Sequence, residues 1–265
     1  MNESQAGPVS DATAFASLHG RRAVVTGASS GIGRAVALEF AMAGADVVVH
    51  CAHNVQAARG VCAAIENLGR RSDLLIYDLA QTAACQEIVA RAWELWQGVD
   101  IWVNNAGADV LTGAAASGDY NSKLQAVLDI DLRGSVLVAK LIGQRMRQSV
   151  GGVILNIGWD QADRGMEGDS AEIFAAAKNG VMGFTRSLAL SLAPQVRVNC
   201  IAPGWIRTGW GSQASEKWQA RVLRETPLGR WGDPADVAQL ARFLASTEAA
   251  FITGQVISVN GGAVR

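Results

Sequence analysis

A glycine-rich turn near the start of the chain carries the clearest chemical signal in the sequence. An apolar run, 23–26, leads into Gly27, Ser29, Ser30, Gly31, Ile32 and Gly33, and a segment of helical period follows. Glycines allow a tight turn and a close approach of the backbone to a ligand, and unpaired amides at a helix start attract anions. The two serines can add hydroxyl donors. The turn therefore predicts a binding site for the diphosphate of a dinucleotide.

A second signal is a lysine within an apolar helical segment. Lys178 lies on a face of the segment 171–193 that is otherwise apolar. A buried ammonium group needs a partner, and the hydroxyls of a cofactor's ribose would provide one. Four residues earlier, on the same face of the predicted helix, stands Phe174, whose ring has no proton to exchange.

Two aspartates are candidates for proton exchange. Asp131 lies within a long helical segment, and Asp160 follows an apolar run beside Trp159. A carboxyl group in an apolar pocket walled by Trp159 would have a raised pKa and could act as an acid near neutrality. The alternative is that Asp160 is a solvated member of an acidic loop, which also contains Asp163, Glu167 and Asp169.

The elements that must position these residues alternate along the chain. Strands are predicted over the apolar runs 23–26, 46–50, 74–77, 101–104, 153–157, 196–200 and 256–259. Helices are predicted over 31–43, 55–68, 82–97, 121–148, 171–193 and 234–245. Continuous runs of Val, Ile and Leu are typical of parallel strands that helices cover on both faces.

This alternation predicts an α/β fold, a Rossmann-like doubly wound parallel sheet of about seven strands in a single domain. We expect the domain to span 18–265 and to follow a flexible segment, 1–17. The segment from about 204 to 231 interrupts the alternation after a strand, which is where open sheets place their ligand sites.

Several motifs, in this order, resemble the short-chain dehydrogenase/reductase family over nearly the whole chain. The turn matches the family's T-G-x-x-x-G-x-G, residues 104–107 match its N-N-A-G, and 203–208 resemble its P-G-x-x-x-T loop. The last strand and turn, 259–262, resemble the family's as well. The resemblance implies that the segment 204–231 is a substrate lid. It also implies cofactor contacts at Asp78, Leu79, Asn105, Ala106, Gly107, Lys178, Pro203, Gly204, Ile206 and Thr208.

The resemblance also shows where this sequence departs from the family's proton-transfer pattern. The family has a tyrosine four residues before the lysine, a serine after the fifth strand and an asparagine in the fourth helix; Phe174, Trp159 and Asp131 stand there. Losing such a general acid typically costs about 10²–10⁴-fold in rate. Neither of the two tyrosines, Tyr77 and Tyr120, lies on the helix of the lysine.

Two functional hypotheses follow from this departure. In the first, the protein is an oxidoreductase on a carbonyl or alcohol substrate, in which Asp160, Asp131, Lys178 or a water supplies the proton. In the second, it binds a dinucleotide without hydride transfer, as a sensor, a partner subunit or a fold reused for other chemistry.

The second predicted strand indicates which dinucleotide is bound. In such folds an acidic side chain at the end of this strand binds the ribose 2′-hydroxyl of NAD. Here the strand is followed by Cys51, Ala52, His53 and Asn54, without a carboxylate. An acid would repel a 2′-phosphate, and His53 lies where the resemblance places an arginine. We therefore expect NADP(H), with NAD(H) as the alternative.

Aromatic residues indicate the kind of substrate. Trp205, Trp210 and Trp218 fall in the lid segment, and with Trp159 and Phe174 they favour an apolar or aromatic small molecule. The alternative is that these rings pack the lid or a subunit interface. The resemblance implies a homotetramer or homodimer, with which the two long apolar helical segments are compatible.

Composition excludes other classes of function. The net charge is −1, so the chain offers no basic stripe for nucleic acid. Its four cysteines are widely spaced and no His, Cys and Asp cluster has the spacing of metal ligands. No apolar run is long enough to span a bilayer, and the first residues lack the pattern of a signal peptide. We therefore expect a cytoplasmic protein without metal or membrane contacts.

Overall fold

Seven parallel strands form one sheet, which confirms the predicted fold class. The computed structural model describes residues 14–263, apart from the side chains at positions 113, 114 and 210. The strands are β1 (Arg22–Val25), β2 (Asp46–Cys51), β3 (Ser72–Ile76), β4 (Ile101–Asn104), β5 (Gly152–Ile157), β6 (Val196–Pro203) and β7 (Val256–Val259). Their order across the sheet is β3-β2-β1-β4-β5-β6-β7, and every neighbouring pair is parallel. The order reverses between β1 and β4, where such sheets bind their ligands.

Helices cover both faces of the sheet. They are α1 (Gly31–Met42), α2 (Val55–Asn67), α3 (Thr82–Leu95), α4 (Tyr120–Val127), α5 (Ser135–Arg147), α6 (Asp169–Leu192), α7 (Gly209–Gln213), α8 (Glu216–Glu225) and α9 (Pro234–Ala245). Helices α1, α2 and α9 pack on one face, and α3, α5 and α6 pack on the other. Successive strand residues point to opposite faces, so Val48 of β2 joins one apolar core while Val47 and Val49 join the other.

The long helix predicted over 121–148 is interrupted in its middle. Between α4 and α5 the chain forms a wide π-helical turn, Leu128–Gly134. Such turns insert extra backbone into a helix and occur frequently at functional sites. This one contains Asp131 and packs against α6. The interruption therefore places the turn that contains Asp131 against α6.

The predicted lid segment, 204–231, contains the two short helices α7 and α8. A parallel backbone bridge between Ile206 and Gly232 closes the base of this segment. Part of the predicted flexible segment 1–17 differs from expectation. Residues 1–13 lie outside the described part of the chain, whereas the guanidinium of Arg242 donates to the carbonyl oxygens of Phe15 (3.1 Å) and Ala16 (2.9 Å). Residues 15 and 16 are therefore anchored to α9.

Candidate active site

The glycine-rich turn joins β1 to α1 and can be built only with glycine at its ends. Gly27 has a φ of +62°, and a Cβ there would lie 2.8 Å from the Cα of Ala106. A Cβ at Gly33 would lie 2.4 Å from the carbonyl oxygen of Gly27. Ser30 precedes α1 in an extended conformation, and its side chain does not cap the helix. The first amides of α1 are thus left for an external anion, as diphosphate binding requires.

The residues that follow β4 hold the glycine-rich turn in place through hydrogen bonds. Thr26 accepts from the amides of Asn105 (2.9 Å) and Ala106 (3.0 Å) through its Oγ1, which donates to the carbonyl of Val103 (3.1 Å). The amide group of Asn105 donates back to the carbonyls of Thr26 (3.0 Å) and Gly27 (3.1 Å). The predicted cofactor residues 105 and 106 therefore lie directly against the turn.

A buried histidine, whose role the sequence reasoning missed, also supports the turn. The Nδ1 of His50 accepts from the amide of Gly27 (3.2 Å), and its Nε2 donates to the carbonyl of Tyr77 (2.9 Å). Burial lowers the pKa of His50 to about 4, so the imidazole is neutral at physiological pH. The signal that could have found it is a polar residue inside β2, whose other interior residues are all valine.

The predicted adenosine end of the site lies beyond β2 and β3. His53 is exposed in the turn that follows β2, and this turn, 51–54, contains no carboxylate. Asp78 follows β3, and its carboxylate accepts from the amide of Ala80 (3.0 Å). Leu79 is buried. These positions lie at the same carboxyl edge of the sheet as the glycine-rich turn.

Lys178 and Asp131 form a buried ion pair, which the sequence reasoning did not predict. Lys178 Nζ lies 2.9 Å from Asp131 Oδ1 and donates to the carbonyl of Ile157 (3.2 Å). Asp131 Oδ2 accepts from the amide of Ala108 (2.7 Å), and the two side chains are only 12% and 2% exposed. Because both charges are paired and hydrogen-bonded, the pair is tolerated at this depth. The π-helical turn is what brings Asp131 to α6.

A cavity of about 550 Å³ opens above this ion pair. Phe174 and Lys178, one helical turn apart on α6, line it together with Ser170 one turn earlier. The predicted cofactor residues Ile32, Pro203, Gly204, Ile206 and Thr208 line it as well. Five aromatic side chains form much of its wall: Trp159, Phe174, Trp205, Trp218 and Trp231. The cavity therefore connects the glycine-rich turn to an aromatic compartment.

An arginine joins the predicted lid segment to the loop before α6. Arg221 of α8 contacts both carboxylate oxygens of Glu167 (2.6 and 3.3 Å) and bonds to Glu225 (2.7 Å). Its guanidinium also lies 4.9 Å from the ring centre of Trp218. Glu167 and Trp218 both line the cavity, so the arginine joins α8 to the loop before α6 at the cavity wall. The side chain of the predicted lid residue Trp210 lies outside what the structure describes.

Asp160 fits neither of its two sequence-based hypotheses, because it is not solvated and does not line the cavity of Lys178. It is 3% exposed, but it lines a separate cavity of about 140 Å³ with Arg164, Arg186 and Ser258. Its Oδ2 accepts from Asn260 Nδ2 (3.2 Å), and its Oδ1 has no hydrogen-bond partner among the described residues. Burial raises the pKa of Asp160 to about 6. The expected rise in pKa is therefore found, but the structure does not bring this carboxyl to Lys178.

The remaining candidates for proton exchange are few. Tyr77 and Tyr120 do not line the cavity, and the Tyr120 hydroxyl lies 3.5 Å from Glu172 Oε2. Among residues 14–263, no three His, Cys, Asp or Glu side chains are grouped as metal ligands. Within the same range, no helix combines the length and apolar character that crossing a membrane requires.

Comparisons with known proteins place the chain in a family. Residues 27–264 match the family model described as Enoyl-(Acyl carrier protein) reductase. The 3-oxoacyl-(acyl-carrier-protein) reductase FabG of Thermotoga maritima is 34% identical over 250 residues, 93% of this chain and 99% of that protein. The 3-oxoacyl-(acyl-carrier-protein) reductase of Synechocystis is 38% identical over 248 residues, 91% of this chain and 96% of that protein.

Solved structures of dehydrogenases superpose on nearly the whole chain. A short-chain dehydrogenase from Burkholderia cenocepacia, in complex with NADP, superposes with a TM-score of 0.83 at 31% identity, over 93% of this chain and 98% of that one. A 7α-hydroxysteroid dehydrogenase, in complex with NADH and a bile acid, superposes with a TM-score of 0.85 at 30% identity, over 97% and 98% of the two chains. The chain therefore belongs to the short-chain dehydrogenase/reductase family of oxidoreductases.

Proposed function

We propose that this protein is an NADP(H)-dependent oxidoreductase that reduces a polar double bond in an apolar or aromatic small molecule. The observation that carries the proposal is the shared cavity. Lys178, which pairs with Asp131, lines the same cavity as Ile32 of the glycine-rich turn and five aromatic side chains. A ligand that lies on the turn can thus reach the compartment where the rings would hold a substrate.

The residues of the turn fit a nicotinamide dinucleotide. The uncapped start of α1 offers amides to the diphosphate, and the glycines leave the space that a Cβ would fill. A bound dinucleotide in its reduced form supplies a hydride to the substrate. The absence of a carboxylate in residues 51–54 favours NADP(H) over NAD(H). One of the two similar structures holds NADP and the other holds NADH, so the choice rests on the turn 51–54.

Lys178 acts in this proposal as a binding residue. An ammonium group has three donors. Within the described residues two of them are used, by Asp131 and by the carbonyl of Ile157, and one remains for a ribose hydroxyl. Asp131 positions the lysine and offsets its charge, and Trp159 and Phe174 shape the compartment and exclude water.

The structure changes the hypothesis about which group supplies the proton. Phe174 stands one turn before Lys178 and has no proton to give, and Asp160 lines another cavity. We therefore assign no side-chain acid and propose that any proton the product needs comes from water at the mouth of the cavity. Such a site works best on substrates whose reduction needs no strong acid.

Calorimetric titration with NADPH and NADH tests the cofactor assignment. We expect NADPH to bind more tightly, and Lys178→Met to weaken NADPH binding at least about tenfold through the loss of a charged hydrogen bond. Lys140→Met is the matched control, since Lys140 is exposed on α5 and lies outside the cavity. No heat with either dinucleotide would overturn the proposal.

Phe174 also favours a second candidate, a dinucleotide-binding protein without hydride transfer. Phe174→Tyr separates the two functions. If the wild type binds NADPH but reduces nothing, while the variant gains reductase activity on carbonyl compounds, the binding function is correct. Turnover by the wild type favours the oxidoreductase.

A further inference from the structure

We infer that the cavity takes an organic cation and that the reducible group is a positively charged C=N bond, an iminium. This inference rests on the proposed function and names its substrate class. It combines three observations: an aromatic wall, a surplus of carboxylates around the cavity, and a phenylalanine beside Lys178.

Three indole rings form a cluster in the wall of the cavity, and Trp231 is its most buried member, at 2% exposed. Trp205 lies between two other rings of the cavity, with centroids 5.5 Å from Trp218 and 6.3 Å from Trp231. The Arg221 guanidinium lies 4.9 Å from the centre of Trp218, so this cluster already holds one cation of the chain itself. Indole faces attract cations more strongly than phenyl faces do, and groups of such rings bind quaternary ammonium ligands.

The charges around the cavity favour a positive ligand. Glu167 and Asp169 line it and contribute two carboxylates. The positive charge of Lys178 is offset by Asp131 at 2.9 Å, and that of Arg221 by Glu167 and Glu225. Lys217 also lies near enough to lower the pKa of Glu167. Counted once each, the four carboxylates of Asp131, Glu167, Asp169 and Glu225 face the three cations Lys178, Arg221 and Lys217, so this set of residues has a net charge of −1. An anionic substrate would meet repulsion there, whereas a cation would be attracted.

The chemistry of iminium reduction suits a site without an acid. When hydride adds to a carbonyl carbon, the C=O electron pair moves to oxygen, and the resulting alkoxide must gain a proton. When hydride adds to an iminium carbon, a C–H bond forms, the C=N π pair moves to nitrogen and cancels its charge, and the product is a neutral amine. The two electrons come from a reduced nicotinamide dinucleotide, which becomes oxidised. No proton has to be delivered in this step, so a phenyl ring at position 174 costs nothing.

The side chains of the cavity exclude an efficient alternative acid. Among the lining residues that the structure describes, the titratable groups are Lys178, Glu167 and Asp169. Lys178 is engaged by Asp131, the Glu167 side chain is 76% exposed and bonded to Arg221, and Asp169 is exposed. None of these is a buried acid directed at a substrate oxygen. A carbonyl is therefore the poorer substrate for this cavity.

Ligand binding without turnover tests the charge preference. The probes are benzyltrimethylammonium, its neutral isostere neopentylbenzene, and phenylacetate, each titrated calorimetrically into the protein with and without NADPH. We expect the ammonium compound to bind about tenfold more tightly than the isostere, and phenylacetate to bind most weakly. Equal affinities for the cation and the isostere would overturn the inference.

The substitution Asp169→Asn tests whether the preference for a positively charged ligand arises in the cavity. Asp169→Asn should reduce the advantage of the ammonium compound about threefold or more, because it removes one carboxylate from the lining. Asp163→Asn is the matched control, since Asp163 lines the other cavity and not this one. An equal effect of the two substitutions would show that the preference comes from the overall charge, and would contradict the assignment.

Turnover with matched substrates tests the reaction. The permanently charged 2-methyl-3,4-dihydroisoquinolinium and the ketone 1-tetralone share a bicyclic skeleton and the position of the reacting carbon. With NADPH, and against a blank without protein, we expect the wild type to reduce the iminium at least about a hundredfold faster, and Phe174→Tyr to gain activity on the ketone.

The outcomes separate the two proposals. If NADPH does not bind, the proposed function fails. If NADPH binds and the ketone is reduced as fast as the iminium, or the iminium is not reduced above the blank, the substrate inference fails and the cofactor site remains.

Discussion

Replacing Asp160 with asparagine should stabilise the protein, and the gain should increase with pH. The carboxyl of Asp160 is almost fully buried, accepts one hydrogen bond from Asn260 and has an oxygen without a partner among the described residues. Burial disfavours the charged form and raises the pKa to about 6. An amide at this position keeps a similar shape and an acceptor for Asn260, but it carries no charge to desolvate.

The magnitude follows from the difference in pKa between the two states. In the unfolded chain the carboxyl has its ordinary pKa of 3.8, whereas in the folded protein the pKa is about 6. Stability is therefore lost as the pH rises between these two values, and the loss reaches about 3 kcal/mol once both states are ionised. Near pH 5 only about half of this loss is present, so the advantage of Asp160→Asn should increase by about 1.4 kcal/mol between about pH 5 and pH 8.

Urea unfolding of both proteins at several pH values measures this difference. Asp163→Asn is the control, because Asp163 lines the same small cavity with its side chain half exposed, and its effect should stay within about 0.5 kcal/mol at every pH. An asparagine variant that is less stable than the wild type at alkaline pH would refute the reasoning. It would show that the charged carboxylate has a stabilising partner there.

Two further predictions concern the turn and the lid. The pKa of His50 is lowered from 6.5 to about 4, so between these pH values the unfolded chain binds a proton that the folded protein does not bind. As the pH falls from about 6.5 to about 4, the wild type should therefore lose up to about 3 kcal/mol of unfolding free energy relative to His50→Gln, measured by urea unfolding. An equal acid sensitivity of the two proteins would contradict this. Arg221→Met should release α8 from Glu167 and speed NADPH and ligand exchange about fivefold in stopped-flow fluorescence, whereas Arg224→Met, an exposed change on the same helix, should not. Unchanged exchange in Arg221→Met would show that α8 does not gate the cavity.

The fold could be predicted from the sequence because its signals are local. Buried parallel strands are continuous apolar runs, and the predicted runs 101–104 and 256–259 coincide with β4 and β7. Helix α9 also has the predicted bounds, since Asp233 and Asp236 form a capping box around Pro234. Strand ends were harder to place: β6 continues to Pro203, three residues beyond the predicted end, because the apolar run does not change character there.

The site was only partly predictable, because several of its contacts join distant parts of the chain. The Lys178–Asp131 pair depends on a π-helical turn, for which the sequence 128–134 gives no periodic signal. His50 supports the glycine-rich turn from a neighbouring strand, and Arg221 reaches Glu167 across 54 residues. The location of Asp160 was also hard to predict, because its side chain bonds to Asn260, 100 residues further along the chain. The assembly state and the cytoplasmic location remain predictions.

Positions 174 and 131 both differ from the family pattern, and the charge that Asp131 adds to the site can be tested. Relative to the family pattern, Phe174 removes a proton donor, and Asp131 adds a carboxylate that offsets Lys178. Asp131→Asn should therefore leave an uncompensated ammonium group at the floor of the cavity. A unit charge about 8 Å from a ligand, at an effective dielectric constant of about 20, is worth about 2 kcal/mol.

We expect Asp131→Asn to weaken benzyltrimethylammonium binding by about tenfold or more while NADPH binding is kept or tightened, because the dinucleotide is an anion. Asp129→Asn on the same turn is the control, since Asp129 pairs with Arg133 and does not line the cavity. Breaking a buried pair also costs stability, so thermal unfolding must show that the variant is folded at the assay temperature. If the folded variant binds the cation as tightly as the wild type does, Asp131 does not set the charge of the cavity, and its role is limited to holding Lys178 and the amide of Ala108 in place.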